Sequence, residues 1–264
     1  MATVQSPLTN LGYNMVAWPK TDIEPLALLY KTENGVSAVE ADLHELFKPG
    51  DAAPPQIKSG VSATDIKGAA ELTFDAKGGI NMLDWLLNKL KLGKLSANIT
   101  LNDSYEVTVS YLNVKEDKVS LLALDNYISS SKPGKDKFNS FKSKLENSEL
   151  YVINSVAKSN DISVTIAAKN GQDVNLDATV KGIVDANMTA ARKQNNSVEL
   201  TYKTDEDKPV VFAFKAQQII YESASFWKNE PARFYIKDQV GAVLLGPEDL
   251  PTRPLKSGEN LVEL

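Results

Sequence analysis

Apolar and polar residues alternate with period two along several stretches of this chain, which predicts strands half-buried in a sheet. Between residues 66 and 75, Ile66, Gly68, Ala70, Leu72 and Phe74 share one face, while Lys67, Ala69, Glu71, Thr73 and Asp75 take the other. The spacing returns in Leu95, Ala97, Ile99 and Leu101, and a β-rich run from Tyr105 to Val114 follows a polar turn, so these two could form a hairpin. Farther on, Ile162, Val164, Ile166 and Ala168 lead through Asn170–Gly171 into Val174, Leu176, Ala178 and Val180. Asn-Gly between alternating runs predicts a hairpin there. Val198, Leu200 and Tyr202 mark a further strand, and the apolar runs 23–30, 151–156, 209–221 and 232–237 predict others.

The period changes to three and four at Ile80, Leu83, Leu86, Leu87 and Leu90, predicting an amphipathic helix over 80–91 with Lys89, Lys91 and Lys94 at its polar end. Shorter helices are expected over 39–47, carrying His44, and over 138–145. Residues 182–192 suit either a continued strand or a helix. From Gly246 the regular period disappears: three prolines fall within 19 residues, and the segment 246–264 reads as an extended tail. That leaves a body, 1–245, of 245 residues, which we read as one domain.

Composition narrows the function. With 29 Lys and Arg against 34 Asp and Glu, the net charge is -5, and no stretch gathers enough basic residues to track nucleic-acid phosphates. The chain has no cysteine and a single histidine, His44, which removes thiol nucleophiles, Cys/His zinc sites and His-based triads unless His44 serves. No phosphate-cradling, dinucleotide, nucleophile-elbow, zincin or EF-hand motif occurs, so no enzyme, cofactor or metal is expected. Asp205, Glu206 and Asp207 read as a solvated turn. No secretory leader and no apolar run of ~18 residues is present, so the chain is expected to stay in the cytoplasm. This leaves strand crossings open, because a sheet with one wet face and a lipid-spanning barrel strand share one alternation.

The chain resembles a bacterial gasdermin. The resemblance is carried by Leu11 to Leu29, by Val119 to Ile128 with its Ala123 to Ile128 segment, by Gly182 to Asn187, and by Pro209 to Tyr221. It implies an α+β fold, a twisted, mostly antiparallel sheet with surrounding helices, held inactive by a C-terminal peptide. It also implies activation by a protease, insertion into the inner membrane, assembly of a homo-oligomeric pore from a monomer, and cell death in antiphage defence. Many bacterial members carry a lipidated cysteine near the N-terminus. Residues 1–6 here hold none, so the resemblance does not extend to acyl-assisted delivery.

Physical chemistry sets terms for that mechanism. In hydrocarbon every backbone N–H and C=O must be paired, so one open sheet cannot insert alone and a closed ring is required. The expected spanning material is two hairpin regions, 66–114 and 161–203, with Ile66, Leu72, Leu95, Ile99, Leu101, Ile162, Val164, Ile166, Val174 and Leu176 toward lipid. Helix 80–91 must then melt or move, and Lys89, Lys91 and Lys94 are the candidates for lipid head groups.

The tail would restrain the body through Leu250, Leu255, Leu261, Val262 and Leu264. Burying these yields roughly 10 kcal/mol gross, against an ordering cost of ~1 to 2 kcal/mol per residue. Such a tail holds through covalent attachment at ~mM effective concentration, and cutting the tether removes that advantage. The best-composed scissile bond is Leu245–Gly246, although a caspase-like protease would choose Asp249. The competing reading is a soluble β-rich binding or scaffold module without membrane activity.

Overall fold

The computed structural model describes residues 11–32, 35–63, 71–75, 79, 81–82, 84, 105–133, 135–169, 190–194, 197–203, 209–223, 232–237 and 261–262. The chain divides into two compact units, one from residues 12–62, 115–157 and 211–264, the other from residues 1–11, 63–114 and 158–210. In chain order the elements are β1 (Asn14–Lys20), β2 (Ala27–Thr32), β3 (Gly35–Asp42), α1 (Leu43–Leu46), β4 (Phe47–Lys48), β5 (Ile57–Ser62), β6 (Glu71–Asp75), β7 (Tyr105–Leu112), β8 (Lys115–Val119), α2 (Leu121–Ser130), β9 (Lys132–Pro133), α3 (Lys135–Glu146), β10 (Leu150–Ser159), β11 (Asp161–Ala168), β12 (Ala190–Gln194), β13 (Ser197–Lys203), β14 (Val210–Glu222), β15 (Arg233–Ile236) and β16 (Leu261–Val262). This is the α+β class that the resemblance implies.

The first unit is built on a nine-stranded sheet whose main path runs β16-β1-β14-β10-β2-β3, with β15 on β14 and with β5 and β8 joined through β10. Its central strands bury both faces, which is why their sequences are continuously apolar rather than alternating. Leu28 and Val152 pack into one cluster with Leu124, Tyr127, Ile128, Phe47 and Phe234, whereas Leu29 and Ile153 pack into a second with Val16, Val211 and Phe214. Successive residues of β2 and β10 thus enter different cores, as a period of two requires.

Helix α2 contributes Leu124, Tyr127 and Ile128, one stripe at three and four spacing, and leaves Leu122 exposed. Helix α3 ends in Ser148 at φ 55°, where the Ser148 and Glu149 N–H groups reach back to the Leu145 and Lys144 carbonyls at 2.9 and 2.7 Å.

Two expectations need correction in this unit. The helix expected over 39–47 is only α1, four residues long, because 35–42 pairs with β2 from Thr32↔Gly35 to Ala27↔Asp42. Sheet pairing outweighs a helical composition of such short length. Strand β5 was not foreseen: Ile57 to Gly60 is exposed throughout, so it has no buried face to write a pattern into the sequence. Pairing with β8 alone makes it a strand.

Candidate functional site

The second unit holds a five-stranded antiparallel sheet, β12-β13-β11-β7-β6, and it gathers both hairpin regions marked by the alternation. Strand β11 lies between β7 and β13, so the root of one region is hydrogen-bonded directly to the root of the other. Both edges of β11 are therefore occupied from Asp161 to Ala167. With both edges taken over Asp161 to Ala167, β11 has no edge there for Val174 to Val180; Asn170, Gly171 and residues 174–180 themselves lie outside the described residues.

The registers sort residues into two faces. Tyr202, Ile162 and Tyr111 form one cross-strand row; Leu200, Val164, Val109 and Leu72 the next; Val198, Ile166, Val107 and Phe74 a third. Of these, Phe74, Val107, Val109, Tyr111, Ile162, Val164, Ile166, Leu200 and Tyr202 are buried. The intervening rows are polar: Thr201, Ser163, Ser110 and Glu71, then Glu199, Thr165, Thr108 and Thr73. They are cross-linked by Ser163 Oγ donating to Glu199 Oε1 at 2.7 Å and by a Thr73–Thr108 hydroxyl pair at 3.3 Å. One face is hydrocarbon and the other is hydroxyl and carboxylate, across four strands in register.

The apolar face is covered where the amphipathic helix was expected. Residues 79, 81, 82 and 84 are helical, and Met82 is buried. Gly79 approaches Val107 so closely that a Cβ there would overlap the valine side chain, so only glycine allows this contact. The rest of that helix, with Lys89, Lys91 and Lys94, lies outside the described residues, as do Ile66, Leu95, Ile99, Leu101, Val174 and Leu176. Among the described residues no helix is long and apolar enough to cross a membrane, a statement that does not bear on strands.

Of the tail, Leu261 and Val262 form β16, which pairs in parallel with Met15 and Val16 of β1 at the end of the nine-stranded sheet. Leu245, Gly246, Leu250, Leu255 and Leu264 lie outside the described residues, with Asp205, Glu206 and Asp207.

Near β1 a buried acid appears that sequence reasoning missed. Glu116 of β8 is 8% exposed; Tyr13 Oη and Ser155 Oγ both donate to Oε1 at 2.7 Å, and Lys118 Nζ lies 2.6 Å from Oε2. The Lys215 ammonium sits 4.3 Å from the centre of the Tyr13 ring. The cluster ties the residue preceding β1 to β8 and β10. Nothing in the pattern Lys115-Glu116-Asp117-Lys118 separates this acid from a solvated one, because the two hydroxyls that bury it are 39 and 103 residues away.

Burial pushes the Glu116 carboxyl upward, yet its hydrogen bonds from Lys118, Ser155 and Tyr13, with the Lys118 charge, outweigh this and hold it below the ordinary range. In the folded chain Glu116 therefore takes its proton at lower pH than in the unfolded chain. Its stabilisation is complete above the unfolded value of about 4.3 and drains as pH falls through the lower folded one. Melting curves of Glu116→Gln between about pH 6 and pH 3 are expected to show a weaker acid dependence than the parent. Glu116→Ala, which strands two buried hydroxyls, is expected to cost about 3 kcal/mol at neutral pH.

His44 has a structural role. Tyr127 is fully buried, and its hydroxyl lies 3.2 Å from the Phe47 carbonyl and 2.9 Å from His44 Nδ1. The His44 and Tyr127 rings stand edge to face at 5.4 Å between centroids. No group of three metal-ligating side chains occurs among the described residues.

Comparison with known proteins agrees with this architecture. The sequence model of the Bacterial Gasdermin Family matches residues 16–230. The gasdermin bGSDM of Gillisia limnaea is 44% identical over 264 residues, covering 99% of this chain and 98% of that one. A second gasdermin bGSDM, from an unknown prokaryotic organism, is 34% identical over 266 residues, covering 99% and 98%. The solved bacterial gasdermin of Bradyrhizobium tropiciagri, at 14% identity, shares the fold with a TM-score of 0.51 over 87% of this chain and 89% of that one. The family match spans most of the chain and the relatives align along nearly all of it, and the chain therefore belongs to the bacterial gasdermin family.

Proposed function

We propose that this chain is an autoinhibited pore-former. Cleavage by a partner protease, at Leu245–Gly246 in our reading, separates 1–245 from 246–264, and the freed body inserts its two hairpin regions into the inner membrane as part of a closed homo-oligomeric ring. The cell death that follows serves antiphage defence. The observation that carries this reading is the two-faced sheet of β6, β7, β11 and β13.

Asp75, Glu106, Ala167 and Ser197 stand on one cross-strand row of that sheet. Beyond it the first region has residues 76–105, thirty in all, and the second has 168–196, twenty-nine. Two hairpins extended from a common row by segments of nearly equal length would reach nearly equal height. Each arm exceeds the ~9 to 11 residues of a tilted crossing. The face burying Val107, Val109, Val164 and Ile166 would meet lipid after the helix that begins near Gly79 leaves it, and the hydroxyl and carboxylate face would line water.

Restraint is assigned to the tail. While β16 pairs with β1, the end of the larger sheet is occupied; once the tether is cut, the short strand dissociates and β1 becomes a raw edge open to pairing. Expressing residues 1–245 in bacteria tests the reading. The fragment is expected to stop growth and make cells permeable to a membrane-impermeant dye, and the full chain to do neither. A folded, harmless fragment would favour the soluble binding module instead.

A further inference from the structure

We propose that Tyr111 and Tyr202 form an aromatic belt that sets the pore's water-side boundary in the bilayer, their hydroxyls meeting the ester carbonyls and phosphates of phospholipid head groups. This rests on the pore reading and adds to it the depth at which the sheet sits.

Tyr202 and Tyr111 flank Ile162 in a single row, one on each neighbouring strand. Both rings are buried, at 1% and 4% exposure, and the Tyr202 hydroxyl has no hydrogen-bond partner among the described residues. A buried hydroxyl without a partner weakens the water-soluble form and is relieved wherever an acceptor becomes available. The row lies at one end of the apolar face. Beyond it the sheet ends in one last cross-strand row, Lys203, Asp161 and the exposed Leu112, on the opposite face, with Lys203 Nζ 3.5 Å from Asp161 Oδ1 and Asn113 Nδ2 donating to Asp161 Oδ2.

On the inner side of the tyrosine row the same face carries only apolar residues, Val109, Val164 and Leu200, then Val107, Ile166 and Phe74. Charge, then tyrosine, then hydrocarbon is the order met on entering a barrel wall from water. Rows on one face repeat every ~7 Å along a strand, so at a tilt of ~40° Ile166 lies ~10 Å below the tyrosines, close to the middle of a ~25 Å apolar band. The Tyr202 hydroxyl is thus a liability in water, and its row an anchor in lipid.

The absence of cysteine permits a direct test. Single variants Tyr202→Cys, Ile166→Cys and Thr165→Cys in the full chain, with a specific protease site inserted near residue 245, are labelled with an environment-sensitive fluorophore. Each is cut in the presence of phosphatidylglycerol–phosphatidylethanolamine vesicles carrying a spin label near the head group or deep in the acyl chain. The label at 202 is expected to be quenched more by the shallow spin label, the label at 166 more by the deep one, and the label at 165 by aqueous iodide.

Tyr202→Phe is the companion variant. It is expected to melt no lower than the parent before cleavage, yet to release dye roughly threefold more slowly after it, two changes that a merely structural tyrosine would not combine. Leaking vesicles in which position 202 is quenched as deeply as 166, or by no lipid at all, would overturn the belt and leave the pore standing. Vesicles that stay sealed with cleaved parent chain would overturn both.

Discussion

Replacing Leu261 and Val262 together by proline is expected to make the intact chain permeabilise vesicles with no protease present. The two residues are the whole of β16 and meet Met15 and Val16 of β1 in a parallel ladder. Proline removes the backbone donors and fixes φ near -65°, so neither residue can complete that ladder. Successive N–H groups of a strand point to opposite sides, so one ladder donor toward β1 is lost, about 1 kcal/mol, which raises the undocked fraction of the tail roughly fivefold.

The size of the effect follows from the marginal tail. Its ordering cost exceeds what its apolar side chains return, so its docking depends on tethering and on pairing with the strand edge. Dye release by the uncut double variant, set beside the uncut parent, reads the effect. Leu261→Ala with Val262→Ala separates backbone from side chain: it keeps both donors and is expected to leak less than the proline pair. If the proline variant stays as tight as the parent while amide exchange shows β16 undocked, pairing at β1 is not the restraint.

Alternation was legible where a strand has one buried face, and misleading or silent elsewhere. Val164, Ile166, Leu200 and Tyr202 announce their face because Thr165, Glu199 and Thr201 stand opposite it, and the structure places them so. β5 left no trace because it buries almost nothing, and β3 hid behind a helical composition because its strand state comes from β2. Partner choice was the least readable quantity. Asn170–Gly171 offered a neighbour to β11, but periodicity cannot say that β7 and β13, more than 25 residues away in sequence, hold both edges.

The candidate site divided along the same line. The hydrocarbon face of β7, β11 and β13 could be drawn from spacing alone. Glu116 could not, since its burial is created by Tyr13 and Ser155, and neither could the common row from which both hairpin regions depart.

Val164→Asp and Thr165→Asp differ by one position, and their expected outcomes differ in kind. Val164 is fully buried in the middle apolar row, between Leu200 and Val109. An aspartate there places a carboxylate among aliphatic side chains in the soluble chain and toward the acyl chains in the pore. Each costs several kcal/mol, so both thermal stability and dye release by cleaved protein are expected to collapse. Thr165 is half-buried on the other face, beside Thr108 and Glu199. An aspartate there meets hydroxyls and, at worst, one like charge across the strand, for a penalty of about 1 kcal/mol that salt reduces.

Dye release by Thr165→Asp is therefore expected to stay within about threefold of the parent at ~0.15 M salt. Val164→Thr isolates the membrane from the fold. It keeps the branched shape and adds one hydroxyl, which a neighbouring backbone carbonyl can accept in the soluble sheet. Its melting temperature is expected to drop by only a few degrees while its pore-forming rate falls further. Were Thr165→Asp to silence the pore and Val164→Asp to leave it open in a still-folded chain, the lipid-facing side would be the polar one, and a barrel built from this sheet would have to be abandoned.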